Sequence, residues 1–254
     1  MTWSARQYSS FEQERTRPVR DLVAALQVEH VRSAVDIGCG PGNSTEVLAR
    51  RYPGAVVTGM DSSDDMVAAA RERLPALRFE VADIASWQPP QSYDVILANA
   101  SLQWLPDHAR LYPRLVAQLA PGGSLAVQTP DNLEEPAHRL MREVAADGPW
   151  SAKIGGLEHP PRHSAEFYYA LLRPVCSQVD VWRTTYFHPL KGGAAAVVEW
   201  FKGTALRPYV APLDADEKAA FLARYLEAIA KAYPALPDGT VLLPFPRLFI
   251  LASR

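Results

Sequence analysis

The chain has 254 residues, of which 48% are hydrophobic and 21% charged, with a formal net charge of −2 at pH 7. This length suits one large α/β domain, and the charge gives no reason to expect nucleic acid as a partner. No apolar run of ~18 residues indicates a membrane span, and the amino terminus lacks the order of a signal peptide, so we expect a cytoplasmic enzyme with a small-molecule substrate.

Strands and helices alternate through the first half of the chain. Apolar runs predict strands over residues 34–37, 56–60, 78–82, 94–98 and 124–128. Helical spacing predicts helices over 44–51, 62–74 and 109–119, with Asn43 or Ser44 as the cap of the first. Pro121-Gly122-Gly123 is predicted to form a turn before the strand over 124–128. This alternation is typical of a mostly parallel sheet with right-handed crossovers.

The second half changes character. Helices are predicted over 135–146 and 164–172, separated by a loop rich in Pro and Gly, and strands over 179–187 and 247–252. Two helical stretches, 194–204 and 214–232, lie between those strands. We interpret residues 190–240 as a helical cap inserted between the last two strands. The two cysteines, Cys39 and Cys176, have no metal-ligand spacing, so we predict no metal site and no disulfide framework.

The most informative segment is Asp36-Ile-Gly-Cys-Gly-Pro-Gly42, where a predicted strand ends in three alternate glycines before a helix. Glycine permits positive φ and carries no Cβ, so the backbone here can approach a ligand closely. A dinucleotide fingerprint, G-x-G-x-x-G, would need glycine at position 43, where the chain has Asn43. Asp36 would repel a pyrophosphate but suits an aminoacyl ammonium group or a bound water. The alternative is an ordinary glycine-rich turn.

Residues 36–42 resemble motif I of the class I S-adenosylmethionine-dependent methyltransferases, whose cofactor has a cationic sulfonium and no phosphate. The resemblance implies a Rossmann-like α/β fold with a seven-stranded, mostly parallel sheet ending in an antiparallel pair. It also implies a single methyltransferase domain over residues 1–254, with 1–20 as an N-terminal lid segment. The implied cofactor is S-adenosyl-L-methionine, with S-adenosyl-L-homocysteine as its product.

The predicted cofactor residues lie near the carboxyl ends of the first four strands, where open parallel sheets bind ligands. Asp61 can accept both hydrogen bonds of a ribose diol, or it could cap the next helix in competition with Ser62. The resemblance implies that Asp83 and Ile84 hold the adenine and that Asn99 faces the methionine part. The complete predicted set is Asp36, Gly38, Cys39, Gly40, Asn43, Asp61, Ser62, Met66, Asp83, Ile84 and Asn99.

Arginines beside aromatic residues, outside the cofactor motifs, indicate an anionic methyl acceptor. Arginine stays charged when desolvated and binds carboxylate bidentately, so several arginines would suit a polycarboxylate. A carboxylate is ionised at pH 7 and needs no general base, and no His-Glu or His-Asp pair stands out. The predicted acceptor-binding set is Tyr8, Trp104, His108, Arg183, Arg207 and Arg247. Among these, Trp104, Arg207 and Arg247 would position the acceptor.

Each of these residues also has a simpler interpretation. An arginine alone could be an exposed surface residue, and Trp104 alone could be part of the core. His108 could be a base, a hydrogen-bond donor to a carboxylate, or the residue that starts a helix after Pro106-Asp107.

Segments outside the cofactor motifs narrow the resemblance to a family that forms the monomethyl ester of trans-aconitate. These segments are residues 3–18, 99–108, 127–132, 179–186, 203–208 and 245–249. The resemblance implies carboxyl O-methylation of a small tricarboxylate, with an acceptor carboxylate attacking the methyl group in line. A methyltransferase for another small carboxylic acid or a quinone precursor is the alternative, and a cofactor-binding regulator without catalysis is a further one. The oligomeric state is left open.

Overall fold

The computed structural model describes residues 12–157 and 162–254, without the side chains of residues 12–15. The strands are β1 (Ser33–Ile37), β2 (Val56–Asp61), β3 (Arg78–Val81), β4 (Tyr93–Asn99), β5 (Leu119–Pro130), β6 (Gln178–Lys191) and β7 (Thr240–Ser253). The helices are α1 (Glu12–Ala24), α2 (Asn43–Arg51), α3 (Asp64–Arg73), α4 (His108–Ala117), α5 (Pro136–Ala146), α6 (Ser151–Ile154), α7 (Ala165–Leu172), α8 (Gly193–Lys202), α9 (Arg207–Val210) and α10 (Ala215–Ala232).

The strands form one seven-stranded sheet in the order β3-β2-β1-β4-β5-β7-β6. β1 to β5 run parallel to one another, and β7 runs antiparallel to β5. The strand order reverses between β1 and β4, which is where a doubly wound sheet opens a crevice for ligands. The predicted fold, a Rossmann-like sheet ending in an antiparallel pair, is confirmed.

The three last strands are longer than their apolar runs predict. The turn expected at Pro121-Gly122-Gly123 is wrong, because these residues lie inside β5, where the pairing with β4 shifts register. A Cβ on Gly123 would lie 2.9 Å from the carbonyl oxygen of Tyr93, so only glycine fits the close approach of β4. Turn-forming residues can therefore mark an irregular strand instead of its end.

The chain divides into two compact units. The described residues of the first unit are 12–130, 162–184 and 247–254, and those of the second are 131–157 and 185–246. The core of the first unit consists of apolar residues from β1, β4, β5 and β7 packed with α4 and α7. Residues 95–98 of β4 are completely buried, as expected for a strand covered on both faces.

The second unit is helical around α10. The Asp214 carboxylate accepts a hydrogen bond from the Glu217 backbone N–H, and the Glu217 carboxylate accepts one from the Asp214 backbone N–H, so α10 begins with a capping box. The Tyr225 hydroxyl donates to the carbonyl of Ala137 at the start of α5. The two helices predicted within 190–240 are present as α8 and α10, and the segment between them contains the short helix α9, which was not predicted. α5 and α6 also belong to this unit, which the sequence interpretation did not include.

The amino-terminal segment contains helix α1, which the sequence analysis did not predict. Its described residues include Val19, Leu22 and Val23, which are buried, and α1 contacts α2 and β5. The first eleven residues of the predicted lid lie outside the described part of the chain. A closing motion of residues 1–20 therefore stays a prediction. None of the described helices is long and apolar enough to cross a membrane.

Candidate active site

The glycine loop between β1 and α2 is folded back onto the end of β2. The backbone N–H groups of Gly38 and Cys39 both donate to the carbonyl of Met60, at 2.7 and 2.9 Å. Gly38 has φ +75°, and a Cβ built on it would lie 2.3 Å from the Cβ of Ser101. Gly40 has φ +53°, and a Cβ there would meet no atom within 4 Å. The first glycine is therefore required for packing, whereas the second exposes bare backbone to open space.

Asp36 lies beneath this loop, at the end of β1, and is fully buried. One carboxylate oxygen, Oδ2, accepts hydrogen bonds from the hydroxyls of Ser44 and Thr45, each at 2.7 Å. The other oxygen, Oδ1, has no hydrogen-bond partner among the described residues. Burial raises the pKa of Asp36 to about 6, although the two hydroxyls oppose the rise. A buried carboxylate with one oxygen that has no hydrogen-bond partner is suited to bind a cationic group.

The caps predicted for α2 are wrong. The helix begins at Asn43, and its N-cap is Gly42, which has φ +90° and makes no side-chain cap bond. Ser44 does not cap because its hydroxyl donates to Asp36 instead. Cys39 is 3% exposed and lies within the loop, so it contributes a small buried side chain there.

Asp61, the last residue of β2, ties the glycine loop to the next turn. Its carboxylate accepts from the backbone N–H of Gly40 at 2.9 Å and from that of Ser63 at 3.0 Å. The cap of α3 is Ser63, whose hydroxyl accepts from the N–H of Met66. The alternative roles of Asp61 and Ser62 as helix cap are therefore wrong. Asp61 is partly exposed beside the open backbone of Gly40, whereas Ser62 is exposed and Met66 buried.

Asp83 and Ile84 follow β3 at the same end of the sheet. Asp83 is exposed and accepts from the Ala85 N–H, while Ile84 is buried and its Cδ1 lies 3.5 Å from the Cβ position of Gly38. Arg114 of α4 donates to the carbonyls of Ile84 and Trp87, at 2.7 and 2.9 Å. The two residues predicted to hold the adenine thus lie in a segment that Arg114 fixes in place.

A chain of hydrogen bonds crosses β4, β5 and β7. Gln128 donates from Nε2 to Oδ1 of Asn99 at 2.6 Å, and its Oε1 accepts from Nη1 of Arg247 at 3.0 Å. Gln128 is 1% exposed and Arg247 6% exposed. The alternative interpretation of Arg247 as a surface arginine is wrong. Asn99, from the cofactor set, and Arg247, from the acceptor set, are therefore brought together by a third residue.

The backbone turns sharply where β4 ends. Ala100 has φ +54°, a conformation uncommon for residues other than glycine, and its N–H donates to the carbonyl of Gln128. Ser101 then donates its hydroxyl to the carbonyl of Ile37 at 2.9 Å. Trp104, at the end of a short 3-10 helix (Leu102–Trp104), is 57% exposed, so a core role for its side chain is wrong.

His108 is buried at the first position of α4. Its Nε2 donates to the carbonyl of Leu102 at 3.0 Å, so its Nδ1 accepts from the hydroxyl of Tyr168 at 2.7 Å. Burial lowers the pKa of His108, which agrees with a neutral ring holding this pair of bonds. The geometry favours the interpretation of His108 as a helix-start residue that holds the segment carrying Trp104.

The other predicted acceptor residues are dispersed. Arg183 is an exposed residue of β6 in the first unit, and Arg207 is exposed at the start of α9 in the second unit. Tyr8 lies outside the described residues. Acceptor binding by these three residues stays a prediction.

Three residues of this site escaped the sequence analysis, namely Ser101, Gln128 and Arg114. A polar residue inside the buried run of β5 was the available signal for Gln128, because such residues need a partner. Ser101 lies in a segment already recognised. Arg114 carried no signal, since an arginine in an amphipathic helix is usually exposed.

Comparison with known proteins agrees with this geometry. A family model described as a methyltransferase domain matches residues 34–123. Trans-aconitate 2-methyltransferase of Methylobacterium nodulans is 54% identical over 99% of this chain and 98% of that protein. The proteins of the same name from Variovorax paradoxus and Agrobacterium fabrum are each 52% identical, over 100% of this chain and 99% and 100% of their own lengths.

Solved structures share the fold at low sequence identity. YcgJ from Bacillus subtilis is 15% identical, covers 93% of this chain and 97% of its own, and has a TM-score of 0.60. Phosphoethanolamine N-methyltransferase 2 from Haemonchus contortus is 15% identical, covers 93% of this chain and 52% of its own, and has a TM-score of 0.54.

The sheet order and the glycine loop, together with the methyltransferase family model that matches residues 34–123, define the chain as a class I methyltransferase. Such loops and sheets serve many acceptors, so the class alone leaves the acceptor open. The full-length relatives are more specific: the chain belongs to the trans-aconitate 2-methyltransferase family.

Proposed function

We propose that this chain transfers a methyl group from S-adenosyl-L-methionine to one carboxylate of trans-aconitate and forms the monomethyl ester. The observation that carries the proposal is the buried Arg247, held by Gln128 beside Asn99 at the carboxyl ends of β4 and β5. A buried guanidinium at the ligand-binding end of the sheet suits an anionic acceptor. The names of the full-length relatives support trans-aconitate as that anion.

The residues of the glycine loop fit the proposed cofactor. Gly40 exposes backbone to open space, and Asp61 beside it is an acceptor for hydroxyl groups such as a ribose diol. Ile84 offers an apolar surface next to Gly38, and Asp83 an exposed carboxylate. The unused oxygen of Asp36 would favour the cationic aminoacyl end. When bound, the cofactor supplies a methyl group on a sulfonium centre.

The acceptor side needs positioning and no proton transfer. A carboxylate is already ionised at pH 7, so its oxygen has a free lone pair without a base. Arg247 would hold one carboxylate and so fix the orientation of another toward the methyl group. Trp104, exposed at the end of its 3-10 helix, would cover the acceptor and exclude water. His108 would act indirectly, because its hydrogen bond to the carbonyl of Leu102 holds the segment that carries Trp104.

Cofactor affinity should depend on pH through Asp36. Its pKa is about 6, so the carboxylate is ionised above pH 6 and increasingly protonated below it. A cationic ligand favours the ionised carboxylate of Asp36, so a protonated Asp36 must lose its proton when the ligand binds. We expect the Kd of S-adenosylhomocysteine, measured by calorimetry between pH 5 and 8, to rise as pH falls through about 6. The Asp36→Asn variant should bind more weakly with a flatter profile; an equally steep profile would assign the titration to another group.

Asp61→Asn should weaken cofactor binding specifically. An amide has one acceptor oxygen where the carboxylate has two, so it cannot accept from Gly40 and Ser63 and also serve a ribose diol. We expect the Kd of S-adenosylhomocysteine to rise ~10- to 100-fold, about the effect of losing one or two charge-assisted hydrogen bonds. Asp64→Asn, an exposed residue in the first turn of α3, is the matched control and should bind normally.

The proposed activity is tested by a panel of acceptors incubated with S-adenosylmethionine, with ester formation followed by mass spectrometry. The panel contains trans-aconitate, other tricarboxylates and dicarboxylates, and a phenol as a quinone-precursor analogue. We expect trans-aconitate to give a monomethyl ester with the highest kcat/KM. Methylation of the phenol with inert carboxylates would refute the carboxylate acceptor, and preference for another small acid would replace trans-aconitate.

A further inference from the structure

We propose that Gln128 is a positioning residue that orients the Arg247 guanidinium toward an anionic acceptor while keeping a neutral oxygen beside it. This inference rests on the proposed function, because it assigns Arg247 to the acceptor. Gln128 itself would touch neither the acceptor nor the cofactor. It would act through Arg247, while its hydrogen bond to Asn99 holds the Gln128 amide in place.

The orientation of the Gln128 amide follows from its partners. Arginine can only donate hydrogen bonds, so the atom of Gln128 that lies 3.0 Å from Nη1 of Arg247 must be the oxygen. The amino group of Gln128 then faces Asn99, whose Oδ1 accepts at 2.6 Å. The two ends of one amide are thus matched to a donor and an acceptor. Because Gln128 is buried, water does not compete for either bond.

The backbone also fixes the position of Gln128. Asn99 and Gln128 are register partners in the parallel β4 and β5 pair, and Pro130 is the partner of Arg247 across the antiparallel pair with β7. The carbonyl of Gln128 also accepts from the N–H of Ala100, where β4 ends. Gln128 therefore links three strands at the end of the sheet that binds ligands.

The neutrality of Gln128 has a chemical consequence. A glutamate at this position would have nearly the same shape and could also accept from Arg247. Its charge, however, would neutralise the guanidinium and compete with a substrate carboxylate in a poorly solvated site. Glutamine provides the hydrogen bond without that competition. We therefore expect residue 128 to determine how strongly the site prefers multiply charged acceptors.

The test compares Gln128→Glu with Gln128→Met. Methionine has a similar length and removes both hydrogen bonds but leaves the charge of Arg247 intact. The proposal predicts that Gln128→Glu raises the KM for trans-aconitate more than Gln128→Met does, by ~10-fold or more against a few-fold. A purely structural role predicts the opposite order, because both variants lose the hydrogen bond to Asn99 and only glutamate keeps the one from Arg247. The control is Gln178→Glu, which adds the same charge at an exposed position of β6.

Cofactor affinity and melting temperature are measured on the same variants. The proposal expects the Kd of S-adenosylhomocysteine to stay within about twofold of wild type in Gln128→Glu. It is overturned if the KM of Gln128→Glu is unchanged, if Gln128→Met is the worse variant, or if cofactor binding is lost together with acceptor binding. Failure of the proposed function would show in the wild-type enzyme, which would then not methylate trans-aconitate. If the wild type methylates another carboxylate, the same comparison is made with that acceptor, and if it methylates none, the positioning role falls as well.

Discussion

Replacing Arg247 by alanine should raise the KM for trans-aconitate by about 100-fold, because two charge-assisted hydrogen bonds contribute about 1.5 kcal/mol each. The arginine is 6% exposed and its Nη1 donates to Gln128, so its positive charge is held at a buried position. The Kd of S-adenosylhomocysteine should change little, since no predicted cofactor contact uses the guanidinium. Steady-state kinetics and calorimetry measure the two quantities separately.

Two further variants separate charge from packing. Arg247→Lys keeps the charge but loses the planar fork, so we expect an intermediate KM. Arg78→Ala removes an exposed arginine from β3 and should match the wild type. A normal KM in Arg247→Ala would refute the arginine site, whereas equal losses of acceptor and cofactor binding would show that the substitution damaged the fold.

Gly38→Ala and Gly40→Ala should impair the protein in different ways, the first in stability and the second in cofactor binding. A Cβ on Gly38 would lie 2.3 Å from the Cβ of Ser101, far inside van der Waals contact, and would require a positive φ as well. We expect this variant to lose thermal stability strongly, together with activity. A Cβ on Gly40 meets nothing within 4 Å, so the protein should tolerate it at the cost of ~1 kcal/mol for the left-handed backbone.

The Gly40→Ala variant is the informative one for function. Its methyl group would occupy the space where the loop backbone faces open solvent, so S-adenosylhomocysteine should bind at least ~10-fold more weakly. Gly54→Ala, at a turn with ordinary φ and free space, should behave as wild type in both melting temperature and binding. If Gly40→Ala binds the cofactor normally, the loop does not contact it.

The fold and the positive φ angles of the glycine loop could be predicted well because they depend on local pattern. A buried strand that ends in alternate glycines specifies a backbone conformation within a few residues. An acidic residue after the next parallel strand adds a hydrogen-bond acceptor at the same end of the sheet. Element types followed from hydrophobic period, and the errors lie at boundaries and in helix α1, which was not predicted. The Pro121-Gly122-Gly123 segment was predicted as a turn but forms part of β5, since pairing with β4 accommodates the irregularity.

Individual side-chain roles were harder to predict, because each depended on a distant partner. Asp61 and Ser62 were weighed as helix caps, but Ser63 caps α3, and Asp61 instead accepts from Gly40, 21 residues away. Trp104 and His108 are neighbours in sequence with opposite outcomes: the tryptophan is exposed and the histidine is buried against Tyr168.

By itself, the sequence determined the class of this protein: an α/β sheet, a glycine loop that excludes a dinucleotide, and acids at the ends of successive strands. These are properties of short segments, whose conformation is set by glycine, by period and by strand order. Only the tertiary structure decided that Gln128 joins Asn99 to Arg247 and that Gly38 must be a glycine because Ser101 packs against it. Gln128 is 29 positions from Asn99 and 119 from Arg247, and Gly38 is more than 60 positions from Ser101. Such contacts exist only once the strands are paired in register, so no local pattern encodes them.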